Sequence, residues 1–180
     1  MNSLLASVAA ALVLVLAASA SANAQQVTRE TVAGISNLHR LETTVACAGA
    51  TAAEAIPEIK KMGFRTVINL RLASEAGANV EAEEAAAKAA GLRYYHVPFN
   101  GQSPDPAVAG RFLDAITAPG SEPAFIHCAG GNRAAVMWLI KRLAVDHWEV
   151  DRAVTEATAL GLKSQPMKQF AIDYAKTHKK

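Results

Sequence analysis

Short apolar runs alternate with amphipathic segments along most of this chain. Val45-Ala46-Cys47-Ala48 reads as a short core strand. Thr51-Ala52-Ala53-Glu54 fits a capping box and opens a helix running to about Met62. Pro57 inside that helix implies either a kink or a later start. Gly63 closes it. Thr66 to Leu70 follows, β-branched and without alternation, which suits a strand covered on both faces. Glu81 to Ala90 has high helix propensity, with Gly91 as its stop. Arg93 to Phe99 reads as the next strand. Asp105-Pro106 then opens a helix through Ile116, with Asp105 as N-cap and Pro106 in the first helical position. Pro123 to His127 is a further strand, and helices follow at about Arg133–Val145, Glu149–Leu160 and Pro166–Thr177. Thr28 to Leu41 is a mixed polar lead-in, partly extended.

Strand and helix thus alternate at βαβ spacing. This predicts an α/β fold of three layers, a central and mostly parallel sheet flanked by helices. Ligands in such folds bind at the carboxyl ends of the strands. The strand ending at His127 leads there into His127-Cys128-Ala129-Gly130-Gly131-Asn132-Arg133, and the helix begins at once. Every part of that junction favours a negative charge at one point. Glycines let backbone N–H groups converge on an oxyanion. The helix N-terminus adds unpaired donors and the positive end of its dipole. Arg133 supplies a planar two-pronged donor for phosphate or sulfate oxygens. A cysteine seated there is favoured as a thiolate nucleophile, so Cys128 is the candidate to attack a phosphate ester. A small buried cysteine before an ordinary turn is the bland alternative.

Composition adds bounds. Leu4 to Ala18 is an apolar, alanine-rich run, with small residues at Ala22 and Ala24. That pattern reads as a signal peptide, residues 1–24, leaving one domain from Gln25 to Lys180 and a periplasmic or secreted location. About 15 apolar residues fall short of the ~20 needed to span a bilayer, so no stable membrane association is expected after removal. The formal net charge is +2, too near balance to imply nucleic acid as a partner. The basic end Lys176-Thr177-His178-Lys179-Lys180 reads as a solvated terminus. Five histidines are scattered without metal-ligand spacing. No glycine-rich dinucleotide loop follows a strand, and no cofactor is expected. The two cysteines, Cys47 and Cys128, are either free thiols or a disulfide that would cap the nucleophile.

These segments together carry a family resemblance. The Cys128–Arg133 loop resembles that of the cysteine-dependent protein tyrosine and dual-specificity phosphatase superfamily. Gly63 to Arg71, Gly91 to Pro98 and Trp148 to Ala153 extend the likeness to its bacterial branch, the beta-lactamase-hydrolase-like phosphatase family. The likeness runs from about Val45 to Leu162.

The resemblance implies a phosphatase-like fold and a phosphocysteine formed on Cys128. It also implies that Arg133 and the loop from Ala129 through Gly130, Gly131 and Asn132 hold the phosphate, while His127 orients the loop. Arg71 is either a substrate-side cation or a surface residue. Relatives carry an acidic proton donor after the preceding strand. Here that loop offers only Asp105, with Asn100 where relatives have Asp, and Glu75 is a second candidate. Two departures matter. The spacing from Cys128 to Arg133 is one residue shorter than is usual in the superfamily, which resembles rhodanese-like sulfurtransferases. Ala134 stands where a Ser or Thr hydroxyl commonly assists the departing thiolate, which implies slow turnover. The substrates implied are phosphotyrosine, phosphoserine or a small phosphorylated molecule. A sulfurtransferase or persulfide carrier is the alternative, and so is a catalytically weak anion-binding module.

Overall fold

Four short segments become neighbouring parallel strands in the computed structural model, which describes residues 26–178. The signal-peptide reading of residues 1–24 lies outside the described residues. In chain order the elements are β1 (Val27–Val32), β2 (Ile35–Leu41), β3 (Val45–Ala48), α1 (Ile56–Lys61), β4 (Thr66–Asn69), α2 (Val80–Ala89), β5 (Arg93–His96), α3 (Pro106–Thr117), β6 (Ala124–His127), α4 (Asn132–Ala144), α5 (Val150–Ala159) and α6 (Gln165–Thr177). The sheet order is β1-β2-β3-β6-β4-β5. β3, β6, β4 and β5 run parallel, and β1 and β2 add antiparallel pairs at one edge.

Alternation within each strand feeds two cores. Val45, Cys47, Ile68, Leu70, Ala124, Ile126 and Cys128 pack on the face covered by α3 to α6. Ala46, Ala48, Val67 and Phe125 pack on the other face, against Ile56 and Ile59 of α1 and Ala87 of α2. Burial on both faces explains why β3, β4 and β6 read as mostly apolar runs without alternation. The lead-in from Thr28 to Leu41 proves to be the β1–β2 hairpin. Its exposed positions carry polar residues, so hydropathy alone gave only a partly extended segment.

The capping box at Thr51 does not form. The Thr51 hydroxyl donates to the Gly49 carbonyl at 3.3 Å, and a 3-10 turn at Ala53–Ala55 precedes α1, which starts late with Pro57 in its first turn. Asp105 does cap α3, accepting the Ala107 N–H at 2.8 Å.

α4 is the hub of the larger core. Every residue from Ala134 to Ala144 is buried, as befits a helix apolar nearly all round. Its two buried cations are fully engaged. Lys141 pairs with Glu122 and Asp146, each at 3.0 Å. Arg142 pairs with Asp146 at 3.0 Å and Glu156 at 2.7 Å, and it lies over the rings of Trp138 and Trp148. The Trp138 indole donates to Glu156 at 2.7 Å. Both tryptophans are thus packing residues. The site that follows is mounted on the N-terminus of this fixed helix.

Candidate active site

Three loops leave the carboxyl ends of β6, β4 and β5 on the same side of the sheet, and a cleft of about 440 Å³ opens between them. Its floor is the loop from Cys128 to Arg133. Leu72 and Glu75 come from the loop after β4, Asn100 to Gln102 from the loop after β5, and Ser164 and Met167 from the start of α6. Volume and shape suit a small ligand or one side chain of a larger one.

The loop is braced from β3. The Cys128 N–H donates to the Ala48 carbonyl at 3.2 Å, and the Ala50 N–H to the Ala129 carbonyl at 3.0 Å. Asn37 Nδ2 donates to the Gly130 carbonyl at 3.4 Å. The fit leaves no space at Gly49, where a Cβ would meet Ser36 Oγ at 2.3 Å and the Ala129 carbonyl at 3.1 Å. Gly131 takes φ +95°, a left-handed conformation that side chains disfavour. That turn brings its own N–H to 3.1 Å from Cys128 Sγ. Asn132 ties the far side, its Oδ1 accepting the N–H groups of Lys163 at 2.7 Å and Ser164 at 3.2 Å.

Arg133 reaches across the cleft to Glu75. Nη1 and Nη2 donate to Oε1 and Oε2 at 2.6 and 2.8 Å, and Nη1 also reaches the carbonyls of Phe99 at 2.9 Å and Leu70 at 3.2 Å. Burial works against the guanidinium charge. The Glu75 hydrogen bonds and the charge of Cys128 more than offset it, so the Arg133 pKa is raised. Glu75 is held at about 2, chiefly by the Arg133 hydrogen bonds and further by the Leu72 N–H and Arg71. That depressed value has a signed consequence. An unfolded Glu titrates near ~4.3, so the Glu75 contribution to stability is complete above about pH 5 and fades as pH falls through 2. Glu75→Gln should therefore lower Tm at neutral pH, and the gap from wild type should narrow in melts taken from about pH 5 down to 2.

Other candidates fall in different places. Arg71 is neither at the surface nor in the cleft. It is 4% exposed and braces the loop after β4, donating to the carbonyls of Ala76 at 2.6 Å and Gly77 at 2.9 Å and to Glu75 at 3.4 Å. Asp105 is an exposed helix cap outside the cleft lining. Cys128, Ala129, Gly130, Asn132 and Arg133 line the cleft together.

His127 is fully buried beneath the loop. Glu83 Oε2 lies 3.1 Å from its Nε2, off the ring's N–H direction, and neither ring nitrogen completes a hydrogen bond. Glu83 accepts from Asn69 Nδ2 at 2.8 Å and from the Tyr94 hydroxyl at 3.3 Å. Burial, with Glu83 beside it, holds the Tyr94 phenol above its usual range. This polar cluster went unseen in the sequence because Glu83 sits in a charged, alanine-rich helix. Its spacing of four from buried Ala87 was the available signal.

Cys47 and Cys128 are both free and buried. Burial, then the charge of Cys128, pushes the Cys47 thiol well up. Cys47 pairs with Ile126, so it lies one strand over from Cys128 and two residues behind. Strand spacings put their Cα atoms on the order of 8 Å apart. A disulfide reaches to ~7 Å, so a bridge would require the loop to move.

Residues 37–145 match the family described as "Beta-lactamase hydrolase-like protein, phosphatase-like domain". A beta-lactamase hydrolase-like protein of Agrobacterium fabrum is 30% identical over 104 residues, covering 56% of this chain and 24% of that protein. The chain thus spans about a quarter of the length of that curated relative. Among solved structures, a phosphatase-like protein of Shewanella putrefaciens superposes with TM-score 0.68 and 20% identity, over 81% of this chain and 92% of that one. A Cys→Ser variant of P. aeruginosa TpbA, in complex with phosphotyrosine, superposes with TM-score 0.61 and 18% identity, over 87% and 92%. At such identities the likeness is one of fold.

Proposed function

This chain belongs to the phosphatase-like domain family of beta-lactamase hydrolase-like proteins, and on that premise we propose that it hydrolyses phosphate monoesters through a phosphocysteine on Cys128. The observation that carries the reading is the Gly131 N–H aimed at Cys128 Sγ, at the floor of a cleft that also holds Arg133. Cys128 as thiolate attacks phosphorus. An S–P bond forms, the P–O ester bond breaks, and its electron pair leaves with the departing oxygen. The loop and Arg133 stabilise the charge developing on the equatorial oxygens. Water then attacks phosphorus, the S–P bond breaks, and inorganic phosphate and the thiolate are released. Ala134 offers no hydroxyl to the departing sulfur, which makes this second step the slow one.

A phosphotyrosine-bound fold relative supports aromatic phosphates among the substrates. The Leu4–Ala18 run with Ala22 and Ala24 supports export to the periplasm or beyond. The test is to mix the protein with an aryl phosphate, quench with acid during turnover, and map the phosphoryl group by peptide mass spectrometry. A phosphoryl adduct on the Cys128 peptide is the expected result. Phosphate release with no such adduct would overturn the covalent mechanism. Thiocyanate formation from thiosulfate and cyanide, in place of phosphate release, would move the reading to sulfur transfer.

A further inference from the structure

Among the described residues, the cleft lining holds no group placed to hand a proton to the leaving oxygen. Glu75 is the one carboxylate lining it among the described residues, and both its oxygens are committed. Oε1 accepts from the Leu72 N–H at 2.9 Å and from Arg133 at 2.6 Å, while Oε2 accepts from Arg133 at 2.8 Å and from Arg71 at 3.4 Å. Four donors on one carboxylate hold it ionised, in keeping with its depressed pKa. The loop after β5 presents amides instead. Asn100 and Gln102 line the cleft, and the Asn100 side-chain oxygen is already turned onto the Gln102 N–H at 3.0 Å. The Ser164 hydroxyl is far too weak an acid. Asp105 is occupied as a helix cap beyond the lining.

We propose that this site is selective for phosphates whose leaving group departs unprotonated, aryl esters and acyl phosphates, and discriminates against alkyl esters such as phosphoserine. The inference rests on the phosphatase reading above. In the first step the P–O electron pair goes to a phenolate or carboxylate, which is stable in water and takes up its proton from solvent as needed. A phenol has a pKa of about 10, whereas an alkoxide is nearly as basic as hydroxide, whose conjugate acid is at about 15.7. Phosphoryl transfer passes through a loose transition state with much of the leaving-group charge developed. Without a positioned acid, that basicity difference falls almost wholly on the rate, on the order of 10⁴-fold or more.

The experiment measures kcat/KM of the full chain for a series of substituted phenyl phosphates, with acetyl phosphate and O-phosphoserine added. This parameter covers only the steps through phosphocysteine formation, so slow hydrolysis of that intermediate does not mask it. The expected result is a fall of roughly five- to tenfold for each unit of leaving-group pKa, with acetyl phosphate hydrolysed and phosphoserine not. A nearly flat dependence, with phosphoserine turned over, overturns the inference while leaving the phosphatase reading standing. In that case, steepening by Glu75→Gln or Asp105→Asn would name the proton donor. Absence of Cys128-dependent release from even the most activated ester would instead overturn the phosphatase reading itself, and this inference with it.

Discussion

Serine in place of Cys128 is expected to lower kcat/KM for an aryl phosphate by on the order of 10⁴- to 10⁶-fold, the scale seen when a covalent nucleophile is removed from its site. A thiol is a far stronger acid and nucleophile than a serine hydroxyl, which needs a base to take its proton, and the nearby imidazole of His127 is sealed beneath the loop against Glu83. The substitution should leave the fold intact. Cys128 is 1% exposed in a small space, and a serine oxygen can still accept the Gly131 N–H. Inhibition by inorganic phosphate should therefore survive within a few-fold. That contrast separates loss of the nucleophile from loss of the anion site. Residual turnover within a hundredfold of wild type would show that water, not Cys128, attacks phosphorus.

Arg133→Ala is expected to cost about 10³- to 10⁵-fold in kcat/KM, the range for an arginine that stabilises a transferring phosphoryl group. Arg133→Lys should fall between, at roughly 10²- to 10³-fold, because it restores charge without the planar fork. The side chain also has a structural duty. It joins the carbonyls at the ends of β4 and β5, Leu70 and Phe99, to Glu75. Removing it leaves a partly exposed carboxylate short of two charged donors, and a stability loss of about 1–2 kcal/mol is expected. Denaturant unfolding alongside the kinetics distinguishes the two effects, since assays well below the transition midpoint report chemistry alone. A loss under tenfold in folded Arg133→Ala would mean that the guanidinium stays with Glu75 throughout and never engages the phosphoryl oxygens.

Much of this site was legible beforehand because its parts are contiguous. Strand, cysteine, glycine turn, arginine and helix lie within one stretch, and local geometry brings them together. β3, β4 and β6 were legible for a similar reason, as burial on both faces favours apolar residues in succession. What remained hidden depends on side chains meeting across the sheet. Glu75 was readable as an acid near a strand end, but its pairing with Arg133, 58 residues away in sequence, is set by how two loops converge. Arg71 lies two residues past β4, and nothing local says that its guanidinium turns back onto the carbonyls of Ala76 and Gly77. The β1–β2 hairpin escaped because an edge hairpin has one wet face and a bulge between Glu30 and Val32 that breaks its period.

That hairpin has a consequence for the order in which the molecule opens. β2 covers the outer side of β3, while β6 covers the inner. Without β2, β3, the strand that braces the Cys128–Arg133 loop, would be a sheet edge, with a free row of amides and carbonyls. Edges exchange their amide protons by local fraying, whereas interior strands do so only when larger units open. The Cys128 N–H and the Ala50 N–H both bond across this seam. In hydrogen-exchange terms, the hairpin moves them from the fast class to the slow one, and β1, two strands removed, takes the fraying instead.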